Sequence, residues 1–482
     1  MPAVVQIVDG HGGPLVMDLN AWAGGQGALA QAGLNLTDGQ LAAVTDSTVW
    51  SPLTGPAGLG RRKITVPVVL IGASADDLGT RIAKLMQATQ APWWLRIRRH
   101  NASADSWLQC YPCVPAIDSQ ITASAQAHMA VGTITADTAP YALGDRVDIP
   151  ATAVSMNPAG NAWGLDINGV GGDTATPLLL RLFDPTAFTT AMGAFISVRR
   201  RQTPSNLTAA NLSRQAEYVS NSLGNGTNVA VVVNATTDAA MSSGTVGVRA
   251  TWASAATALD AGQIIFSAPA LGGPDLPGVY RVFVRIRRNG TANTQPLVLK
   301  AFMNGALITP QDITVPAGGA AIRLVDLGLM QYPAAQPQSI LAPVPNSSGA
   351  VATRVLLEFW RTDGGAATVD FDYMCWIPAD EDAGYLDTDQ SLQTPTAQYV
   401  VIDGYQHLAV VTNADPIGVH SIIGQSYGGP IPTTTWTGGA PRVRPGANRV
   451  FIVAGTGGVA VWPIAQSLSV AASYWPRYTW LR

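Results

Sequence analysis

The sequence predicts an all-β protein of β-sandwich and jelly-roll units, with one short helix in its N-terminal domain. Three observations predict it. Short apolar runs with period-two alternation recur along the chain. Turn formers are abundant, with 49 Gly and 33 Pro in 482 residues. Helical spacing of apolar residues is convincing only once.

The length of 482 residues allows about three domains at roughly 150 residues each. Only 12% of residues are charged, about half the usual share. Much of the surface is therefore neutral, as it is where subunits stack on subunits. The formal net charge of -3 leaves no basic field for nucleic acid or an anionic membrane. Lysine occurs only at Lys63, Lys84 and Lys300. Arginine is otherwise the base, and its planar fork suits interfaces. Met1 to Gly10 carries no basic segment and no long apolar run, which argues against a signal peptide. No stretch approaches a membrane span.

Residues 1–145 read as one unit. Val4 to Val8 is a strand and Gly10 to Pro14 a turn. Ile64 to Gly72 alternates well, and Pro67 within it suggests an edge or a bulge. Ser74 and Asp77 then form a capping-box pattern ahead of Leu78, Ile82, Leu85 and Met86 at helical spacing, which predicts a helix near 75–88. Pro92 to Arg99 returns as a strand, with Trp94, Arg96 and Arg98 on one face and Trp93, Leu95 and Ile97 on the other. Trp107 to Val114 and Ala127 to Thr135 add two more strands.

Residues 146–176 are rich in Gly, Asn, Ala and Asp and read as a linker. Residues 177–380 read as a jelly roll. Its ten strands are Leu178 to Phe183, Ala194 to Arg199, Val229 to Asn234, Val246 to Ala250, Gln263 to Ser267, Gly278 to Arg287, Leu297 to Phe302, Ala321 to Leu327, Val355 to Trp360 and Val369 to Ile377. Residues 385–482 read as a last β unit, able to pack with the middle one. Its strands are Gln398 to Ile402, His407 to Thr412, Ile417 to Ile423, Arg449 to Val453, Val459 to Pro463 and Leu468 to Tyr474. Chain ends are usually frayed and polar. An end carrying Tyr474, Trp475, Tyr478 and Trp480 must be tied into a sheet or against a partner.

No motif for catalysis stands out. His11, His100, His128, His407 and His420 are scattered, and no nucleophile elbow, phosphate loop or dinucleotide fingerprint occurs. The chain reads as a non-enzyme without a cofactor or metal. Cys110 and Cys113 form a lone C-x-x-C in strand-like sequence, which reads as inert thiols. Asp370 and Asp372 flank Phe371 on a strand, which allows a calcium site with Asp380, Glu381 and Asp382, or instead pairing with arginines of a neighbouring strand or plain solvation. The lack of an Asp-rich, Gly-bearing loop favours pairing or solvation over calcium. Arg281, Arg285 and Arg287 share one strand face around Phe283, read as a solvent or interface face. Trp252, Tyr280 and Trp360 are candidate stacking surfaces for sugar rings, with core packing as the alternative. No carboxylate pair at glycosidase spacing is evident.

The N-terminal unit resembles the distal tail and minor tail proteins of long-tailed bacteriophages of siphovirus type. The resemblance rests on Gly60 to Gly72, the Asp77-Leu78 helix, Trp94 to Ile97 and the closing Ala136 to Ala142. At the other end, Arg444-Pro445-Gly446-Ala447-Asn448 and Tyr474-Trp475-Pro476-Arg477-Tyr478 resemble that family's turn and finish. Residues 177–380 look like the jelly-roll, carbohydrate-binding-like modules placed within such proteins. The resemblance implies a virion protein of the tail tip, made in the host cytoplasm and assembled as a ring, usually of six copies. It would join the tail tube protein to the tip hub and meet the tape measure protein and host-recognition proteins. The ring contact is expected at Arg61, Ile64, Val66, Val68, Trp94 and Arg96, with Ile64 to Ile71 as an open edge that the next copy completes. The alternative is a carbohydrate-binding protein of the tail whose middle module holds host cell-wall glycan.

Overall fold

The computed structural model describes residues 2–19, 28–30, 35–36, 62–99, 102–118, 128–154, 164–183, 192–201, 213–215, 221–224, 228–241, 244–257, 260–267, 278–289, 297–303, 306–307, 313–315, 322–332, 354–361, 366–379, 382–388, 399–405, 408–412, 434–456, 461–463 and 468–479. Over these residues the protein is all-β, in antiparallel sheets, with one short helix. Arg61 and the expected strand Ile417 to Ile423 lie outside the described residues.

The first sheet runs in the order Leu15–Asp18, Pro2–Val8, Trp93–Arg99, Ser106–Cys110, His128–Thr138, Arg62–Gly72, Ala28–Ala30. Period-two alternation sends Ile64, Val66, Val68 and Leu70 into its core beside Trp93, Leu95 and Ile97. The Arg62–Gly72 strand is not an open edge. It pairs with His128–Thr138 along its whole length, and on its other side with Ala28–Ala30 and Asn35–Leu36. Those two short partners meet Val68 to Leu70 and Ile64 to Thr65, and Pro67 falls in the gap between them. A residue without an N–H needs that gap. The strand expected from Trp107 to Val114 ends at Cys110, because Pro112 and Pro115 remove ladder donors.

The helix spans Ala75–Thr89. The Ser74 hydroxyl accepts the Asp77 amide at 3.1 Å, and the Asp77 carboxylate accepts the Ala73 amide at 2.8 Å. The Ala73 amide, ahead of the Arg81 partner, holds the Asp77 carboxyl below its ordinary range. Leu78 and Leu85 carry the helix onto the sheet.

The second body is a sandwich. One sheet orders Val147–Val154, Leu468–Tyr474, Leu179–Phe183, Tyr399–Asp403, Leu408–Thr412. The other orders Gly164–Val170, Gly446–Thr456, Met192–Arg201, Ala383–Thr388, Thr434–Gly438. This corrects the expected linker at 146–176. Val147, Ile149 and Val154, then Leu165, Ile167 and Val170, bring apolar side chains to the core despite the Gly and Asn between them. Pro150 is tolerated in the ladder because the register shifts between Ile149 and Thr152.

The middle module is a second two-sheet sandwich inserted into this one, and its described strands run from Ser213 to Pro378. Leu179–Phe183 and Met192–Arg201, expected in the module, belong to the host sandwich. One module sheet orders Val229–Met241, Gly244–Trp252, Ala367–Pro378, Gly278–Asn289, Ile322–Tyr332. The facing sheet orders Asn221–Gly224, Gly262–Ser267, Arg354–Arg361, Leu297–Met303, Ala306–Leu307. The chain leaves the host after Met192–Arg201 and returns on Ala383–Thr388, and these two strands pair with each other. The host strand Val461–Pro463 also pairs with Ile322–Tyr332 of the module. One apolar core runs through both bodies, with the Phe195 and Phe283 rings 5.9 Å apart across the join.

Gly79 sits on the exposed helix face with no atom within 4 Å of an added Cβ. Gly79→Ala raises stability by about 0.5–1 kcal/mol, read as a higher urea midpoint at unchanged slope.

Candidate functional site

The end of the chain closes onto its beginning. Arg477–Tyr478 pairs with Ala142–Leu143, and Leu143 in turn faces Trp107 of the first sheet. The Gly144 amide donates to the Pro476 carbonyl at 2.7 Å. Trp475 then packs with Val8, Trp94, Trp107, Leu143 and Tyr405 in a separate apolar cluster between the first sheet and the sandwich. The His11 imidazole sits among three indoles, with ring centroids 5.7 Å from Trp94, 4.8 Å from Trp107 and 5.9 Å from Trp475. Its Nε2 lies 2.9 Å from the Gly144 carbonyl oxygen. Trp475 and Tyr478 are thus tied down within their own molecule, and Trp480 lies outside the described residues.

Hydrogen bonds lock this seam. The Thr176 hydroxyl donates to the Trp475 carbonyl at 2.7 Å. With that proton used, the 3.0 Å contact between Thr176 and Tyr405 has the phenol as donor. The Tyr405 oxygen also accepts the Trp475 amide at 3.0 Å. Burial pushes the Tyr405 phenol up to about 12, against the pull of Arg477. The Arg477 guanidinium lies 5.0 Å from the Tyr141 ring and 5.7 Å from the Tyr405 ring. Burial lowers its pKa.

The turn that launches Gly446–Thr456 has its own clamp. The buried Asn448 side chain accepts the Arg444 amide at 2.9 Å and donates to the Arg444 carbonyl at 2.6 Å. Gly446 has φ +100°, open to glycine and strained for others. The Arg-Pro-Gly-x-Asn run is therefore a self-bonded turn.

The expected ring residues do not form a surface. Ile64, Val66 and Val68 are in the core, and Trp94 is in the seam. Arg96 is half-buried, paired with Asp105 at 2.7 Å and 5.4 Å from the Trp107 ring. Strand pairing on both sides and inward alternation explain the difference.

Two of the three expected sugar-stacking aromatics are also inside. Trp252 is 1% exposed and donates its indole N–H to the Asp260 carbonyl at 3.0 Å. Tyr280 is 0% exposed, and its hydroxyl accepts from Arg199 of the host sandwich at 3.0 Å. Trp360 is half-buried, with the Lys300 ammonium 5.9 Å from its ring.

The acidic and basic residues of the module pair with one another. Arg249 holds Asp370 through two bonds of 2.7 and 3.0 Å, and Arg285 holds Asp372. Asp372 is the extra residue of a bulge opposite Arg285 and Ile286. Arg281 meets Asp326 at 2.6 Å. Burial raises the Asp326 carboxyl, against the pull of Arg281. Asp382 meets Arg442 at 2.6 Å. These contacts follow the pairing reading of Asp370 and Asp372. Among the described residues, no three His, Cys, Asp or Glu side chains are grouped as a metal site requires. The arginine face of Gly278–Asn289 is an interface within the chain, with Arg281 5.7 Å from the Phe195 ring. Cys110, Cys113 and Cys375 are free thiols, and burial raises all three pKa values. That suppresses the reactive thiolate.

Sequence reading missed the roles of His11, Tyr405 and Arg477. His11 and Tyr405 follow strands in turn-like sequence and carry no motif. Arg477 stood only as part of a family-like ending.

No known family profile matches the chain, and no curated protein does. Solved structures overlap it loosely. A xanthan lyase of Paenibacillus shares 8% identity over 86% of this chain and 53% of its own, with a TM-score of 0.23. The chain thus spans about half the length of that lyase. The VP2 subviral particle of infectious bursal disease virus shares 9% identity over 68% of this chain and 80% of its own, with a TM-score of 0.14. A structure of the Gt strain of that virus shares 11% over 68% and 79%, with a TM-score of 0.13. Overlaps this loose carry no functional inference.

The Tyr405 shift has a signed consequence. The neutral phenol is favoured in the fold, so its contribution is complete below the ordinary value of 10.0 and is lost as pH rises from there toward about 12. Tyr405→Phe flattens this part of the stability profile, measured by urea unfolding across alkaline pH. A profile as steep as that of the parent protein would refute the assignment.

Proposed function

We propose that this protein is a structural component of a phage tail tip, a distal or minor tail protein that assembles as a homo-oligomeric ring. The observation that carries the reading is the pairing of Ala142–Leu143 with Arg477–Tyr478. The two family-like ends are far apart in sequence and meet in one seam. The ends then form a single body, from which the module at 213–378 departs as an insertion. In this reading the ring copies are alike, the tail tube protein and tip hub dock on its faces, and the tape measure protein passes at its centre. The role is non-catalytic.

The ring contact passes to a true edge. Among the described residues, Leu15–Asp18 pairs on one side only, with Pro2–Val8. Leu15 is 51% exposed there. An unpaired, apolar edge accepts a strand from a neighbouring copy. Electron microscopy of the purified protein, alone and mixed with tail tubes, tests the reading. Closed rings with rotational symmetry are expected, and Leu15→Lys at the edge reduces their yield. Monomers under both conditions overturn it.

The half-exposed Trp360 favours a second, compatible role in host-glycan contact. Titration with soluble cell-wall glycan is expected to saturate, with Trp360→Ala weakening affinity roughly two- to tenfold, since a stacked aromatic contributes ~0.5–1.5 kcal/mol. Equal affinity of the parent and the variant removes this role.

A further inference from the structure

The seam contains a cavity unlike the packing around it. Trp94, Tyr141, Leu143 and Tyr405 wall it, and Gln109 and Arg477 supply its polar atoms. It measures about 10 Å³ to the centre of a water-sized occupant, room for about one such sphere.

Both polar residues are deeply buried, Gln109 at 5% exposure and Arg477 at 4%. Oε1 of Gln109 has no hydrogen-bond partner. Among the described residues, no carboxylate forms an ion pair with Arg477. Among the described residues its guanidinium meets the faces of Tyr141 and Tyr405. Other buried arginines differ. Arg285 has Asp372, and Arg449 has Asp166 at 3.1 Å. The nearby Arg442 adds a second positive charge that acts on Arg477, and its own carboxylate partner is Asp382. Arg477 is therefore buried without an ion-paired carboxylate among the described residues, while the buried Asp403 acts on the neighbouring Tyr405. An uncompensated buried charge costs several kcal/mol.

We infer that the cavity binds one monatomic anion, chloride in ordinary solutions, held by the Arg477 guanidinium and the Gln109 amide. The volume matches one small occupant. The Gln109 amide turns its NH₂ toward the ion, which gives a second donor. The aromatic walls lower the local dielectric, which strengthens the attraction. Chloride then becomes a structural part of the join between the first sheet and the sandwich. This site stands apart from the assembly reading and holds or fails without it.

Thermal unfolding of the full chain in sodium chloride and in sodium gluconate at equal ionic strength tests the site. Gluconate is too large for the cavity. The melting temperature is expected to rise by several degrees with chloride and to level off, as binding to the folded state requires. Gln109→Leu shrinks the rise, and Arg477→Met abolishes it. Equal melting temperatures in the two salts overturn the proposal, as does an undiminished chloride response in both variants. If Arg477→Met does not fold, crystals grown in bromide decide. An anomalous peak between Arg477 and Gln109 supports the site, and a water alone at that position overturns it.

Discussion

The rest of the structure depends on returning the last strand to the first sheet. Residues 474–478 must leave one sheet and enter another with their polar backbone satisfied and their aromatic side chains dry. Thr176 and Tyr405 take both backbone groups of Trp475, and Gly144 takes the Pro476 carbonyl. The side chains supply the driving force. An aromatic residue buries about 150–250 Å², which at ~25 cal/mol per Å² is roughly 4–6 kcal/mol as an upper bound. Trp94, Trp107, Tyr405 and Trp475 all contribute at this one place. Against them stands Arg477, whose desolvation costs several kcal/mol. Its two tyrosine faces return about 2 kcal/mol each at best. The aromatic burial wins, and the arginine is the largest opposing cost within the seam.

The module is joined to the sandwich by a different logic. Its exit and return strands are hydrogen-bonded neighbours, so the insertion leaves the host register intact. What fixes its placement lies beyond that connection: Arg199 on Tyr280, Arg281 over Phe195, and the Val461–Pro463 strand on the module edge. The buried Arg–Asp pairs add little net stability, because desolvation cancels most of their attraction. Their effect is on register. Arg285 reaches Asp372 only with the bulge in Ala367–Pro378 at its present residue, so a slip by one position would strand both charges.

Much of this was legible in the sequence, and the failures have physical causes. All ten strands expected between 177 and 380 exist, because alternation reports the two faces of a sheet directly. The helix was legible for a similar reason, since Ser74 and Asp77 act on amides within four residues. The linker at 146–176 misled because composition was weighed above alternation, and Ile167 and Val170 bury as well as any Leu-rich strand. Pro67 suggested an edge, but proline needs only one missing partner, which the gap beside Val66 and Pro67 provides. Trp252 and Tyr280 lie inside because an aromatic with a polar tip is welcome in a core once that tip has a partner. Arg477 was not legible, since its surroundings combine Tyr405 with residues over three hundred positions away, such as Tyr141.

The two joins of the molecule fall on opposite sheets of one sandwich. Tyr405 and Trp475 follow directly on Tyr399–Asp403 and Leu468–Tyr474, both in the first of its sheets. The module leaves and returns on Met192–Arg201 and Ala383–Thr388, both in the second. Among the described residues no ladder connects these pairs, and the path between them is the close-packed interior, through Leu180 and Val470 on one side and Ile196 and Ile452 on the other. Such an interior resists compression and transmits displacement without requiring a change of register. Sequence change in the module can thus alter what it contacts while the seam keeps its hydrogen bonds.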